Sequence, residues 1–324
     1  MALTFVSELP LQLECGKQLE NVVLAYETYG TYVHGKTRVI WVCHALTANA
    51  NVAEWWAGLF GAGKILDPEQ YFIVCANMLG SCYGSTCPEA VTDYSTEHFE
   101  NVFPPVSIRD IVNAQMMLKA QLGIEEIFLL LGGSMGGQQA MEWAIAAPAT
   151  VKFLALLATN AQHSSWGIAF NEAQRMALVS GKNGLEAARA IAMLSYRNYE
   201  MYSRTAKAND GVGNYGAANY QRYQGQKLAN RFSAESYFVL SKAMDSHNVG
   251  RGYPSAEIAL AKIKAATLVI GIKTDLLFPV SEQIFLANHI ENAKLEIIES
   301  PFGHDGFLTE SEKINELLKQ FIKE

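Results

Sequence analysis

The chain predicts an α/β protein with a mostly parallel central sheet and a helical segment inserted between the two halves of that sheet. Three observations carry this reading. Short, wholly apolar runs such as Val39 to Val42 and Ile127 to Leu131 suit strands buried on both faces. These runs alternate with helical stretches as far as Asn160. Strand signals then stop, and they return only at Thr267.

The stretch from Ile127 to Trp143, IFLLLGGSMGGQQAMEW, organises the rest. An apolar strand runs into Gly132-Gly133-Ser134-Met135-Gly136-Gly137, and a helix from Gln138 to Ala147 comes next, stopped by Pro148. Strand, glycine-rich turn, helix is the context in which G-x-S-x-G acts as the nucleophile elbow of an α/β-hydrolase fold. The turn forces strained dihedrals on the serine, and side chains at the glycines would strike the adjoining strand and helix. No G-x-G-x-x-G phosphate pattern or Walker lysine competes for these glycines. An elbow of this kind also demands that an acid, and then a histidine, come later in the chain.

Taken in order, residues 9 to 30 alternate apolar and polar positions about a Gly-Lys turn, which predicts an antiparallel hairpin at a sheet edge. Val39 to Val42 is a buried strand ending in Cys43-His44-Ala45-Leu46-Thr47-Ala48. The loop after such a strand supplies one oxyanion-hole N–H in this fold, which nominates Leu46, with Met135 as the second donor. His44 precedes Ser134, the wrong order for the base, and reads as structural. Tyr71 to Ala76 is a third strand, followed by a long loop from Asn77 to Pro105 at the end of the sheet where ligands bind. Ser107 to Leu122 reads as a helix with Ser107 as its cap and Asp110 in its first turn. Phe153 to Ala158 is another strand.

From about Asn160 to Gly250, the segments Asn171–Val179, Leu185–Tyr202, Tyr215–Leu228 and Ala234–Met244 look helical. This predicts a core from residue 1 to 160, a helical cap over 161–250, and the rest of the core over 251–324. Strands resume at Thr267–Ile272 and Lys294–Ile298. Asp275 comes after the first, in GIKTDLLFP; His304 and Asp305 come after the second, in SPFGHDGF; an amphipathic helix from Glu310 to Lys323 closes the chain. Acid and histidine thus stand where the elbow requires them.

The composition is that of an ordinary globular chain: 324 residues, 50% hydrophobic and 18% charged. A net charge of −7 argues against a nucleic-acid footprint. The five cysteines are scattered without a CxxC pair, which suits a reducing cytoplasm. Cys82 and Cys87 flank a Gly-Ser turn, but no His/Cys set of metal-binding spacing accompanies them, so no metal is expected. The start, MALTFVSELPLQLECG, has no basic region before a long apolar core, so no secretory leader is expected. No apolar run approaches the length of a membrane span, so no membrane partner is expected either.

The chemistry expected is acyl transfer through an acyl-serine. Ser134 is a weak nucleophile that needs a base. His304 would take its proton, Asp275 would fix the imidazole tautomer, and the N–H groups of Leu46 and Met135 would receive the oxyanion. Whether water or another nucleophile collects the acyl group stays open on these residues, so an esterase or thioesterase with the same triad is an alternative.

The sequence is similar to the homoserine O-acyltransferase family of α/β-hydrolase-fold enzymes over nearly its whole length. The likeness rests on HALT (44–47), CYGST (82–86), FPPVSIRDIVNAQ (103–115) and GGSMGGQQAMEWA (132–144), and continues through IAFNEAQRMAL, YQGQKLANRF, MDSHNVGRG, TDLLFP and GHDGFL. It implies acetyl or succinyl transfer from coenzyme A to homoserine in methionine biosynthesis, in a homodimer built on the cap helices with no permanently bound cofactor. It puts the triad on Ser134, Asp275 and His304, a substrate-binding acid on Asp305, and a substrate-binding arginine on Arg189 with Tyr196 beside it; Arg175 and Arg197 are rivals for that arginine. Spaced seven apart on a helix, Arg189 and Tyr196 share a face, and arginine is a natural clamp for a carboxylate. Succinyl-using members carry Arg two residues after the acid; here that position is Leu277, which points to acetyl-CoA. The family's longer segment between Leu178 and Gly184 is only VSGKN here, and HALT continues as HALTANAN, so serine or another small hydroxy amino acid is an alternative acceptor.

Overall fold

In the computed structural model, residues 2–89, 94–205, 213 and 215–323 are described. The strands are β1 (Leu3–Val6), β2 (Leu11–Gln12), β3 (Gln18–Leu19), β4 (Val23–Tyr29), β5 (Val39–Cys43), β6 (Phe72–Ala76), β7 (Ile127–Gly133), β8 (Val151–Leu157), β9 (Ala266–Ile272) and β10 (Ala293–Ile298). The helices are α1 (Val52–Trp55), α2 (Thr96–Asn101), α3 (Ile108–Gln121), α4 (Met135–Ala146), α5 (Ser165–Leu178), α6 (Gly184–Tyr196), α7 (Tyr199–Thr205), α8 (Gly216–Ala229), α9 (Ala234–Asp245), α10 (Ala256–Leu260), α11 (Val280–His289), α12 (Gly306–Thr309) and α13 (Ser311–Phe321).

Eight strands make one sheet in the order β1-β4-β6-β5-β7-β8-β9-β10. From β6 to β10 every pair is parallel; β4 runs antiparallel to both β1 and β6. The apolar runs are buried on both faces because alternate residues enter two different cores. Trp41, Leu130, Leu156 and Val269 pack on one side under α3, α4 and α11. Val42, Leu131, Leu157 and Ile270 pack on the other, against α1 and α13. Leu178, Leu185, Leu228 and Leu240, from the helices between β8 and β9, join the first of these cores.

Several elements differ from the sequence-based expectation. The hairpin over residues 9–30 divides: β2 and β3 pair in a separate two-stranded sheet, turned at Gly16 (φ 83°), while β4 joins the main sheet with β1 as its edge partner. β1 gives little pattern because only Phe5 of its four residues is buried. The helix expected from Asn171 begins at Ser165, where Ser164 accepts the Gly167 N–H. The helix expected over Leu185–Tyr202 is two, α6 and α7, with the Asn198 side chain accepting the Met201 N–H at the new start. The long loop holds α2, and its residues 90–93 lie outside the described residues. At α3, Ser107 and Asp110 form the full reciprocal capping box. No helix among the described residues is long and apolar enough to cross a membrane.

Candidate active site

β5, β7 and β8 end level: Cys43 lies opposite Gly132, and Gly133 opposite Leu157. At this rim Ser134 takes φ 56°, ψ −128°, a left-handed backbone rare for a residue with a side chain. The glycines around it leave no room for a Cβ. One at Gly132 would sit 2.1 Å from the Gly136 carbonyl oxygen, and one at Gly136 would sit 2.1 Å from the Cys43 carbonyl oxygen. α4 begins at once, at Met135, so the Met135 amide belongs to the first turn, whose N–H groups have no intrahelical acceptor.

The three residues that the elbow demanded come together. His304 Nε2 lies 2.9 Å from Ser134 Oγ, and its Nδ1 lies 2.7 Å from Asp275 Oδ2. The other carboxylate oxygen of Asp275 accepts the N–H groups of Leu277 at 2.8 Å and Phe278 at 2.9 Å, so the acid is held in place by backbone. All three side chains are buried, and the rings of Phe278 and Phe307 pack on the imidazole with centroids 5.1 and 5.2 Å away. An imidazole anchored through Nδ1–H presents Nε2 as the acceptor of the serine proton.

Ser134 and His304 open into a cavity of about 410 Å³, which Leu46 also lines. The Leu46 amide donates to no acceptor among the described residues. His44, which sequence order made structural, is fully buried. Its Nδ1–H donates to the Ala45 carbonyl at 2.9 Å and its Nε2 accepts the Met78 N–H at 3.2 Å. Burial pushes its pKa down to about 4, so this imidazole stays neutral at pH 7.

The far side of the cavity is helical. Arg189 and Tyr196 of α6 both line it, and the guanidinium sits over the tyrosine ring, 5.3 Å from the centroid. Asp305 lines it too, but its Oδ2 is 2.6 Å from Nε of Arg197 rather than paired with Arg189. The Nε–H of Arg197 is not aligned for a hydrogen bond, so the contact is an ion pair. Burial raises the Asp305 carboxyl above its usual pKa, against the opposing pull of Arg197 and then Arg189. Arg175 is engaged elsewhere, with Glu172 and Asp245. Leu277 is buried outside the cavity lining and contributes its amide to Asp275, so the acyl-choice argument built on its side chain has no contact here to act through. Lys227 and Arg231 reach the same cavity from YQGQKLANRF, and Glu54 and Trp55 from α1. Sequence reasoning gave none of the four a role. The only signal for the first two was that their motif carried the family resemblance.

A serine, histidine and buried carboxylate in hydrogen-bonded series, on a strand–turn–helix elbow at the rim of a parallel sheet, define an α/β-hydrolase-fold protein. Residues 38–311 match the family described as alpha/beta hydrolase fold. The chain is 44% identical over 335 residues to a homoserine O-acetyltransferase of Cyclobacterium marinum, covering 99% of this chain and 95% of that one. A crystal structure of homoserine O-acetyltransferase from Staphylococcus aureus superposes with a TM-score of 0.85 at 29% identity, covering 99% and 95% of the two chains. Esterase E22 superposes with a TM-score of 0.87 at 23% identity, over 99% and 100% of the chains, a likeness of fold. The chain belongs to the homoserine O-acetyltransferase family of the α/β-hydrolase fold.

Proposed function

We propose that this protein transfers an acetyl group from acetyl-CoA, through an acyl-serine, to the hydroxyl of L-homoserine, a step of methionine biosynthesis. The observation that carries the substrate assignment is the cavity itself. The triad serine opens into a space that also holds an arginine, Arg189, and an acid, Asp305, one for each charged group of an amino acid.

Ser134 Oγ attacks the thioester carbonyl while His304 Nε2 takes its proton. The oxyanion is received by the N–H groups of Leu46 and Met135. The tetrahedral adduct collapses, the C–S bond breaks, and His304 returns the proton to the CoA sulfur. The homoserine hydroxyl then attacks the acyl-serine, giving its proton to His304, which passes it to Ser134 Oγ as the ester leaves. Arg189 binds the homoserine carboxylate, Tyr196 walls the pocket, and Asp305 accepts the ammonium through Oδ1, since Arg197 holds Oδ2. The acetyl donor is supported by the names of the relatives, not by Leu277. Segment 161–250 acts as a cap, a reading supported by the four side chains it sends into the cavity: Arg189, Tyr196, Lys227 and Arg231. Homodimerisation through these helices is supported by the exposed apolar side chains of Met176, Leu194, Tyr199 and Tyr223. The five cysteines, all free thiols, suit the cytoplasm.

The test is acyl transfer from acetyl-CoA with homoserine, serine or water as acceptor, with free thiol and product monitored together and Ser134→Ala as control. O-acetylhomoserine formed by the wild type and lost in Ser134→Ala supports the proposal. CoA release indifferent to the amino acid would mean ester hydrolysis instead.

A further inference from the structure

Outside the triad, one side chain ties together three loops around the cavity. Arg231 lies in the turn between α8 and α9. Its Nη1 donates to the Thr47 carbonyl at 2.6 Å and to the Tyr83 hydroxyl. Thr47 comes directly after Leu46 in the turn after β5, which is closed by the Ala48 N–H donating to the Ala45 carbonyl at 3.0 Å. The sheet side of that turn is already pinned: the Ala45 carbonyl accepts from His44 Nδ1, and the His44 carbonyl accepts from Gln139 Nε2 at 3.1 Å. Arg231 pins it from the helical side.

Tyr83 is itself held. Its carbonyl accepts from Asn77 Nδ2 at 2.7 Å, and its ring meets Phe232 edge-on with centroids 5.6 Å apart. Asn77 Oδ1 accepts the Ala50 N–H at 2.7 Å. The loop after β5, the loop after β6 and the α8–α9 turn therefore close into one ring of contacts through Thr47, Arg231, Tyr83, Asn77 and Ala50. Immobilising a long arginine at an open cavity costs side-chain entropy, which a lone contact to a neutral carbonyl offsets poorly; a second acceptor on a braced tyrosine makes the pose persistent. The gain falls on the turn. Peptide planes are rigid, so the backbone moves through two soft dihedrals per residue. The Leu46 N–H shares its peptide plane with the Ala45 carbonyl, so the bonds to that carbonyl aim it; fixing the Thr47 carbonyl restricts the Leu46 and Thr47 dihedrals through which the turn would otherwise tilt that plane.

We propose that Arg231 is a positioning residue for acyl transfer: through the Thr47 carbonyl it holds the 45–48 turn so that the Leu46 N–H stays aimed at the oxyanion formed on the acylated Ser134. This rests on the reading of Ser134 as nucleophile and Leu46 as oxyanion donor. The competing role for a cation at this place is direct contact with an anionic group of a substrate.

Two acyl donors separate these roles. Acetyl-CoA carries phosphates; p-nitrophenyl acetate carries neither phosphate nor amino-acid groups. Acylation of Ser134 is measured in single turnovers with each donor, in the full chain and in Arg231→Met, Arg231→Lys and Tyr83→Phe. Arg231→Met is expected to slow acylation by about 10- to 100-fold with both donors, with half-saturating donor concentrations unchanged and partial rescue by added guanidinium. Arg231→Lys should fall between it and the wild type. Tyr83→Phe, which removes only the brace, should slow both donors several-fold, and it keeps the test open if Arg231→Met folds poorly. A loss confined to acetyl-CoA and expressed in its half-saturating concentration, with p-nitrophenyl acetate untouched, would assign Arg231 to substrate contact and overturn the proposal, as would wild-type rates in all three variants. If neither donor acylates the wild type in a Ser134-dependent way, the underlying reading falls; if the wild type is acylated and the variants match it, only the role of Arg231 does.

Discussion

The two sides of this cavity are built differently. On the sheet side, Ser134, Asp275 and His304 stand just after β7, β9 and β10, and backbone geometry fixes them: a strained turn for the serine, two amide donors for the acid, and a histidine locked between the two. On the helical side, Arg189, Tyr196, Arg197 and Arg231 reach the cavity or its rim with long side chains, held by a cation over a ring, an ion pair and hydrogen bonds to two neighbouring loops. Atoms placed by backbone serve chemistry, where a displacement of about 1 Å is costly. Groups placed by long side chains serve recognition, where a flexible charge finds its partner. Damage to the sheet side should therefore appear as lost rate or lost stability, and damage to the helical side as lost affinity, except at Arg231, whose bond to the Thr47 carbonyl acts on the sheet-side turn.

The largest effect tests the sheet side directly. Asp275→Asn should lower kcat by about 10⁴-fold, because an amide in place of the carboxylate favours the wrong imidazole tautomer and cannot stabilise its cation. Substrate half-saturation should change little, and steady-state kinetics with acetyl-CoA and homoserine would measure both. A loss expressed mainly in KM would break the division between the two sides. Next comes Gly136→Ala. The added Cβ would meet the Cys43 carbonyl oxygen at 2.1 Å, a backbone atom that cannot swing away, so roughly 3 to 4 kcal/mol of stability should be lost. Urea unfolding would read this, and unfolding at the wild-type midpoint would show that the elbow and the end of β5 separate freely.

The sheet side should also be acid-sensitive. His44 is buried neutral, with its pKa pushed from 6.5 down to about 4 by burial. A base whose folded pKa is depressed takes up its proton first in the unfolded state. The stability it permits is complete above pH 6.5 and is lost as pH falls towards 4, on the order of 3 kcal/mol for this one group. Unfolding free energies measured at steps across that window should fall with decreasing pH, and His44→Gln should flatten the slope. His163, drawn down to about 4, and His247, to about 3, act in the same direction, so part of the slope should survive in the variant.

Legibility in the sequence divides along the same line. The buried strands, the elbow and the order of Ser134, Asp275 and His304 could be read because each imposes a local pattern: an apolar run, a glycine cluster, an acid or a histidine after a strand. β1 was missed because only one of its residues is buried. The break between α6 and α7 was missed because Asn198 caps a helix inside a run that looks continuously helical. The pairing of Asp305 with Arg197, and of Arg231 with Thr47 184 residues away, leaves no local pattern. Such contacts depend on how segments distant in the chain pack together, and family resemblance marked their neighbourhoods without giving their partners. Leu277 shows the converse: its position in the sequence suggested a pocket side chain, while the fold uses its amide.

The smallest effect tests the helical side. Arg189→Met should keep the packing of the long side chain over Tyr196 and remove the charge. If Arg189 clamps the substrate carboxylate, the KM for homoserine should rise about 10- to 100-fold, the worth of one charge-assisted contact, with kcat within a few-fold of the wild type. The rate with an acceptor lacking the carboxylate, such as 3-amino-1-propanol, should be equally poor in wild type and variant. A fall in kcat with an unchanged KM would mean that α6 reaches across the cavity to the reacting atoms. Distance permits that outcome, because Tyr196, on the same helix face, already places its ring 5.7 Å from that of His304. The comparison between the two sides therefore turns on the split between KM and kcat in this one variant.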